Sequence, residues 1–281
     1  MVKWIGAWMA CIALAQLAAA DAPERIVSAG GDISEILFEL GVGDKVVAVD
    51  TTTAFPAATE DLPRIGYVRG LSAEGVLSMG ADLLIGSHDM GPPAVMDNLE
   101  AAGMTVAFAP EGIGADRYAD KVRFVADAVN KEARGAEMIT QYDAQLADIA
   151  TRVAALNRKP RTLLILSLVD GAPMAAGRGT TGDDMVGIVG GDNVAEFSGW
   201  KPMTPEAVVA AAPEIIFLSS FHVDGAGGTG AIMDLAPIKV TPAGINGNFV
   251  VVNSQKMLQF GPRSPEAMDQ MLSAIEALVA E

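Results

Sequence analysis

The stretch 71-LSAEGVLSMGADLLI-85 returns as 203-MTPEAVVAAAPEIIF-217, at a constant offset of 132 residues and without a gap. In each copy a hydroxyl residue, Ser72 or Thr204, precedes a short helical segment, a glutamate holds its second position, and an apolar strand follows. A hydroxyl is a favourable N-cap here, because its oxygen accepts a hydrogen bond from a first-turn amide. The repeat predicts two similar α/β lobes, and the cleft between two lobes is a common ligand site.

Short apolar strands alternate with amphipathic helices around each copy. In the first half the pattern predicts strands at 25–29, 45–49, 82–85 and 105–109, and helices at 33–40, 72–79 and 92–102. In the second half it predicts strands at 162–166, 215–218 and 249–252, helices at 184–189, 205–211 and 265–280, and a glycine-rich loop at 171–182. Such alternation is typical of mostly parallel sheets covered by helices, so each half is expected to be a Rossmann-like α/β lobe.

The pattern changes between residues 116 and 156, where neither a strand pattern nor a proline occurs. Apolar residues at helical spacing predict two helices there, or one long helix with a break. The second helix is long enough to be a stiff strut. We therefore expect an N-terminal lobe at 21–130, a linker α-helix at 131–157 and a C-terminal lobe at 158–281. Lobe motions are expected to be small, because bending the linker would break helix hydrogen bonds.

The first twenty residues have the features of a secretory signal peptide. Lys3 provides a positive charge, residues 4–17 form an apolar run too short to span a membrane comfortably, and residues 18–20 are alanines suited to cleavage. An uncleaved anchor is the alternative. Cleavage after residue 20 would remove Cys11, the only cysteine of the sequence. The exported chain would then depend on its hydrophobic core rather than on disulfides.

Acidic residues outnumber basic ones and give a formal net charge of −16. This charge argues against binding to nucleic acids or to an anionic membrane surface. It is compatible with a basic partner or ligand, although acidity that only promotes solubility explains it equally well. The sequence also lacks a nucleophile elbow, a phosphate loop and a zinc-protease motif, so nothing in it indicates an enzyme.

The loop before the first copy, 62-LPRIGYVRG-70, presents a phenol and a cation. Tyr67 and Arg69 are two residues apart in an extended segment, so their side chains are expected on the same side. Tyrosine is a known axial ligand of haem iron, and a neighbouring cation favours the phenolate form. A tyrosine ring packed against a lobe and a solvated arginine are the simpler alternatives.

Further side chains are secondary candidates. Glu74 and Glu206, taken singly, are ordinary first-turn glutamates, but their recurrence at the fixed offset indicates a shared role, such as engaging two arginines of a partner. His88 and His222 each follow a predicted strand end. Met174 is placed on a loop that would line an apolar ligand pocket.

On the basis of these residues, the chain resembles the periplasmic haem-binding proteins of bacterial ABC haem importers. Those proteins belong to the helical-backbone class of substrate-binding proteins. The resemblance covers essentially the whole mature chain. Its most specific part is 66-GYVR-69 followed by 71-LSAEG-75, and it also includes 25-RIVSAGGD-32, 173-PMAAG-177 and 241-TPAG-244.

The resemblance implies that Tyr67 is the axial ligand of a ferric haem b, the transported ligand, and that Arg69 supports it. Some members also carry a second-lobe histidine shortly before the segment that corresponds to 173–177. Here Leu168 or a neighbour takes that place, and no histidine is near in sequence. This departure favours five-coordinate iron bound by tyrosine alone.

The resemblance also implies that Glu74 and Glu206 meet an ABC haem permease, which acts with its ATPase in the inner membrane. The predicted function is therefore delivery of haem for uptake by a monomeric, non-enzymatic binding protein of the periplasm. A corrinoid or ferric-siderophore binder of the same fold is the nearest alternative. An exported enzyme of the chelatase or hydrolase type is a more distant one.

Overall fold

The computed structural model describes residues 22–112, 114–220 and 229–280. The predicted signal peptide at 1–20 and the candidate His222 lie outside these residues. Within the described part of the chain, no helix combines the length and the apolar character that a membrane span requires.

The first lobe is a parallel four-stranded sheet in the order β2-β1-β3-β4. Its strands are β1 (Ile26–Ala29), β2 (Val46–Val49), β3 (Leu83–Gly86) and β4 (Thr105–Phe108), and its helices are α1 (Gly31–Glu39), α2 (Ala73–Leu77) and α3 (Pro93–Ala101). Alternate strand residues enter opposite cores, as the two-residue period of a strand requires. Ile26 and Ile85 pack with α1, whereas Val27 and Leu84 pack with residues of α2 and α3.

The second lobe has a mixed sheet in the order β10-β9-β5-β6-β8, with β7 paired to β5. Its strands are β5 (Arg161–Val169), β6 (Ala172–Ala176), β7 (Asp192–Asn193), β8 (Trp200–Pro202), β9 (Ile215–Ser219) and β10 (Phe249–Val252). Its helices are α6 (Thr181–Ile188), α7 (Pro205–Ala211), α8 (Thr229–Met233), α9 (Ala236–Lys239), α10 (Pro242–Asn246), α11 (Ser254–Leu258) and α12 (Ser264–Val279). The two-lobed α/β fold predicted from the sequence is thereby confirmed.

The prediction of a glycine-rich loop at 171–182 is wrong for the first half of that range. Residues 172–176 form β6, which pairs antiparallel with β5. Asp170 and Gly171 make the tight turn between the two strands, with φ angles of 50° and 79°. An Asp-Gly pair with both φ angles positive is the preferred two-residue hairpin turn, so a usable sequence signal was present.

The two helices predicted between residues 116 and 156 are present as α4 (Tyr118–Ala128) and α5 (Glu132–Ala154). The N-terminal half of α5 packs in the first-lobe core through Met138 and Tyr142, and the C-terminal half packs in the second-lobe core through Ile149. Gly135 lies inside α5 because a Cβ there would come within 2.8 Å of Ala126 on α4. The single long helix α5 therefore contacts both lobes.

Candidate functional site

A cleft of about 230 Å³ lies between the lobes and opens to solvent. The first lobe lines it with the loops that follow β2 and β3, including Tyr67, Arg69 and His88. The second lobe contributes Leu258 and Phe260, from the end of α11 and the residues after it. One wall therefore presents polar and aromatic groups, and the opposite wall includes apolar side chains.

The Tyr67 loop is held to the first lobe by its backbone and by one buried side chain. The amide of Ile65 donates to the carbonyl of Val49 at 3.0 Å, which ties the loop to the end of β2. Val68 is only 6% exposed and belongs to the core beneath the loop. Tyr67, by contrast, is 48% exposed. The amide of Gly70 donates to the carbonyl of Tyr67 at 2.7 Å, so residues 67–70 form a turn rather than the extended segment predicted from the sequence. Tyr67 and Arg69 both line the cleft from this turn.

Arg69 connects the phenol to a carboxylate on the neighbouring loop. Its Nη1 donates to the Tyr67 hydroxyl oxygen at 3.1 Å, and its Nε donates to Asp89 Oδ2 at 2.6 Å. The hydrogen bond to Asp89 raises the pKa of the Arg69 guanidinium above its usual value. Burial raises the pKa of the Asp89 carboxyl, but hydrogen bonds from Ser87 and Arg69 outweigh burial and hold that pKa below its usual value. Both groups are therefore charged at neutral pH.

A buried lysine lies at the floor of the cleft. Lys121 of α4 donates to Asp32 Oδ2 of α1 at 2.6 Å and to the carbonyl of Gln259 at 2.8 Å. Lys121 and Asp32 are both 8% exposed. This lysine therefore joins the first lobe to the segment that forms the second wall, and it fixes part of the shape of the cleft.

The structure brings some of the sequence candidates together and separates others. Tyr67, Arg69 and His88 all line the cleft. Met174 lies half-buried on β6 and is not among the residues that line this cavity; its predicted role in ligand binding stays a prediction.

Sequence reasoning missed four residues at this site, namely Asp32, Ser87, Asp89 and Lys121. Ser87 and Asp89 flank His88 after a strand end, a position that could have drawn attention to them. Asp32 and Lys121 are 89 residues apart in the chain, and no local pattern predicts their contact.

Glu74 and Glu206 are exposed on the short helices α2 and α7, away from the residues that line the cleft. Both helices have the predicted caps. Ser72 Oγ accepts from the amide of Gly75 at 3.1 Å, and Thr204 Oγ1 accepts from the amide of Ala207 at 3.2 Å. The internal repeat is thus a structural repeat, with one exposed glutamate in the first turn of each helix.

An apolar side chain also recurs on these helices. Leu77 lies three residues after Glu74 and is 40% exposed, and Val209 lies three residues after Glu206 and is 45% exposed. Residues three apart on a helix are neighbours on its surface. Each lobe therefore carries a matched carboxylate and apolar side chain.

Two α/β lobes that face a common open cleft and share a long helix define a solute-binding protein. The chain belongs to the periplasmic binding protein family, whose profile matches residues 26–255.

Solved structures with high similarity include haem-binding proteins. The periplasmic heme-binding protein RhuT from Roseiflexus sp. RS-1, in apo form, is 33% identical with a TM-score of 0.86, over 91% of this chain and 99% of that chain. A periplasmic heme-binding protein from Pseudomonas aeruginosa is 31% identical with a TM-score of 0.83, over 92% of this chain and 94% of that chain. The resemblance drawn from the sequence is confirmed by these matches.

Curated relatives are more distant. The ABC transporter substrate-binding lipoprotein YvrC of Bacillus subtilis is 26% identical over 69% of this chain, and the match spans 63% of the length of YvrC. The vitamin B12-binding protein of Yersinia pestis is 26% identical over 71% of each chain. The haem-binding structures are therefore the better matches in both identity and coverage.

Proposed function

We propose that this protein binds ferric haem in the inter-lobe cleft and delivers it to an ABC permease. The observation that carries the proposal is the half-exposed Tyr67 at the cleft, whose hydroxyl oxygen lies 3.1 Å from Nη1 of Arg69. Similarity to periplasmic haem-binding proteins supports the choice of ligand.

The residues of the cleft fit a ferric porphyrin chemically. A phenolate oxygen is a hard anionic donor that suits Fe(III), and Arg69 supplies a cation that stabilises it. Leu258, which is partly exposed on the opposite wall, offers apolar surface to the porphyrin, and the buried Phe260 packs behind that wall in the second-lobe core. Tyr67 is the only ligand assigned, so the proposed iron is five-coordinate.

The first prediction concerns ligand choice. Titration of the purified protein with hemin is expected to give a saturable Soret band and a charge-transfer band of tyrosinate-ligated high-spin Fe(III) at micromolar concentrations. Cyanocobalamin and a ferric siderophore, tested by calorimetry, serve as matched competitors. Absence of haem uptake with binding of cyanocobalamin would replace the proposal by the corrinoid alternative, which the vitamin B12-binding relatives favour.

The same proposal assigns Glu74 and Glu206 to docking on the permease. Each is exposed at the start of a capped helix, and each has an apolar neighbour one turn away, Leu77 or Val209. Carboxylates at equivalent places on two lobes fit two arginines of a roughly two-fold symmetric partner. The apolar neighbours would be buried around the charge pairs and exclude water from them.

The second prediction tests this docking surface. Glu74→Lys and Glu206→Lys are each expected to weaken binding to the cognate permease–ATPase complex in nanodiscs by roughly tenfold, because one buried charge pair becomes repulsive. Haem affinity should stay unchanged, since neither glutamate lines the cleft. Glu132→Lys, an exposed reversal at the start of α5, is the matched control. Equal binding of all three variants would contradict the assignment.

Export belongs to the proposal as well. The segment 1–20 would direct the chain to the periplasm and be removed, leaving lobes at 21–130 and 158–281 joined by the linker at 131–157. Mass spectrometry of the protein from the periplasmic fraction would give the mature N-terminus directly.

A further inference from the structure

A chain of polar contacts continues from Tyr67 past Arg69 to two residues of the next loop. Ser87 Oγ donates to Asp89 Oδ1 at 2.7 Å. The other oxygen of Asp89 accepts from Nε of Arg69 at 2.6 Å and pairs with Nη2. Two of the three guanidinium nitrogens are thus held by one carboxylate, and the third, Nη1, is left to face the Tyr67 hydroxyl oxygen.

The backbone keeps these two loops in register. The amide of Leu71 donates to the carbonyl of Gly91 at 2.9 Å, and the amide of Gly91 donates to the carbonyl of Val68 at 3.0 Å. Beneath them, Val68 and Met90 are buried in the same apolar cluster. Asp89 therefore has a fixed position relative to Arg69 before any ligand arrives.

We propose that Asp89 is a positioning residue for the iron ligand, which it controls by orienting the guanidinium of Arg69, with Ser87 fixing the carboxylate. The inference rests on the proposed function and deepens it. An arginine side chain is 61% exposed here and has many rotamers, so without an anchor it would spend much of its time in solvent. With the anchor, the donor to the phenolate oxygen is present in the apo protein.

The orientation has a consequence for the iron. A phenolate that accepts a charge-assisted hydrogen bond donates less electron density to Fe(III). The anchored cation therefore raises the Fe(III)/Fe(II) midpoint potential compared with an unsupported phenolate, and it also slows haem loss by stabilising the ligand as an anion.

The competing explanation is that Asp89 and Arg69 form a surface ion pair without any positioning role. This explanation predicts the opposite change in the midpoint potential when Asp89 is replaced by asparagine. Arg69 is largely exposed and Asp89 only partly buried, and asparagine keeps the size of the aspartate side chain, so Asp89→Asn is expected to leave the protein folded. If Asp89 acted only as a nearby negative charge, Asp89→Asn would raise the midpoint potential. If Asp89 positions Arg69, the same substitution releases the guanidinium, and the potential falls as it does in Arg69→Ala.

The test uses the full mature protein loaded with hemin. We expect Asp89→Asn and Arg69→Ala each to speed haem transfer to apomyoglobin by roughly tenfold, the size expected for loss of one charge-assisted hydrogen bond. The double variant should be no faster than Arg69→Ala, because the two residues act through the same contact. Spectroelectrochemistry should show a lower midpoint potential in the two single variants and the double variant. The potential should return part of the way to the wild-type value in Asp89→Glu and fall by a smaller amount in Ser87→Ala.

Asp97→Asn, which removes an exposed carboxylate of α3, is the matched control and should behave as wild type. If Asp89→Asn matches this control, or raises the potential, the positioning role is overturned while haem binding by Tyr67 stands. If the wild-type protein shows no tyrosinate-ligated haem at all, the proposed function is overturned together with this inference.

Discussion

Tyr67→Phe is expected to lower the affinity for ferric haem by at least about 100-fold and to abolish the tyrosinate charge-transfer band. Loss of a residue that only orients a metal ligand typically costs 10- to 100-fold, and Tyr67 is the ligand itself in the proposed site. Phenylalanine keeps the ring and removes only the oxygen, so the packing contributed by the half-exposed side chain is retained. Absorbance titration with hemin and dissociation kinetics measure both effects.

His88→Ala is the matched control for that experiment. His88 is exposed on the same wall of the cleft and is the other plausible iron ligand there. The charge-transfer band should persist in this variant. If His88→Ala abolishes haem binding while Tyr67→Phe retains it, the iron ligand has been assigned to the wrong residue.

The part of the site that could be predicted from sequence is the part that lies on one loop. Tyr67 and Arg69 are only two residues apart, so their proximity follows from the sequence, although the structure joins them across a turn at 67–70 and not along the predicted extended segment. Asp89 is 20 residues further on, and its contact with Arg69 depends on the parallel pairing of β1 with β3 and on the register of two loops. The relative position of the two loops depends on how distant segments pack, so a local sequence pattern does not predict it.

A similar division holds for the fold. The two lobes were predictable because the helix and strand after Ser72 recur after Thr204 with the same spacing. The hairpin of β5 and β6 is not predicted, because Gly171 and the glycines that follow it favour a loop, although the Asp-Gly pair at 170–171 is itself a hairpin signal. The contacts that hold the lobes together join residues more than 100 positions apart, such as Lys121 with Gln259 at a separation of 138, and no local sequence pattern indicates them.

The contact between Glu35 and Arg263 is the most distant of these in sequence. Glu35 on α1 is 3% exposed, and its Oε2 accepts from Nε of Arg263 at 3.1 Å, just before α12. The Arg263 guanidinium also lies 3.5 Å from the centre of the Phe55 ring. Burial raises the pKa of the Glu35 carboxyl above its usual value even though the hydrogen bond from Arg263 lowers it. Desolvation therefore outweighs attraction, and the charged pair is costly to bury.

Arg263→Met is consequently expected to lower the free energy of unfolding by about 3–5 kcal/mol, the usual cost of leaving one buried charge unpaired. The double variant Glu35→Met with Arg263→Met should recover most of that loss, because apolar replacement of both partners removes the desolvation cost as well. Urea unfolding followed by circular dichroism measures each free energy. Arg123→Met, which breaks an exposed pair with Asp120, should change stability by less than about 1 kcal/mol.

The outcome also bears on the cleft. Gln259 and Phe260 form part of its second wall and lie only a few residues before Arg263. If the double variant regains stability but still binds haem more weakly than wild type, the charged pair serves to hold this wall against the first lobe. If the double variant is as unstable as the single one, the pair stabilises the fold in its own right, and the inference drawn from the raised pKa of Glu35 is wrong.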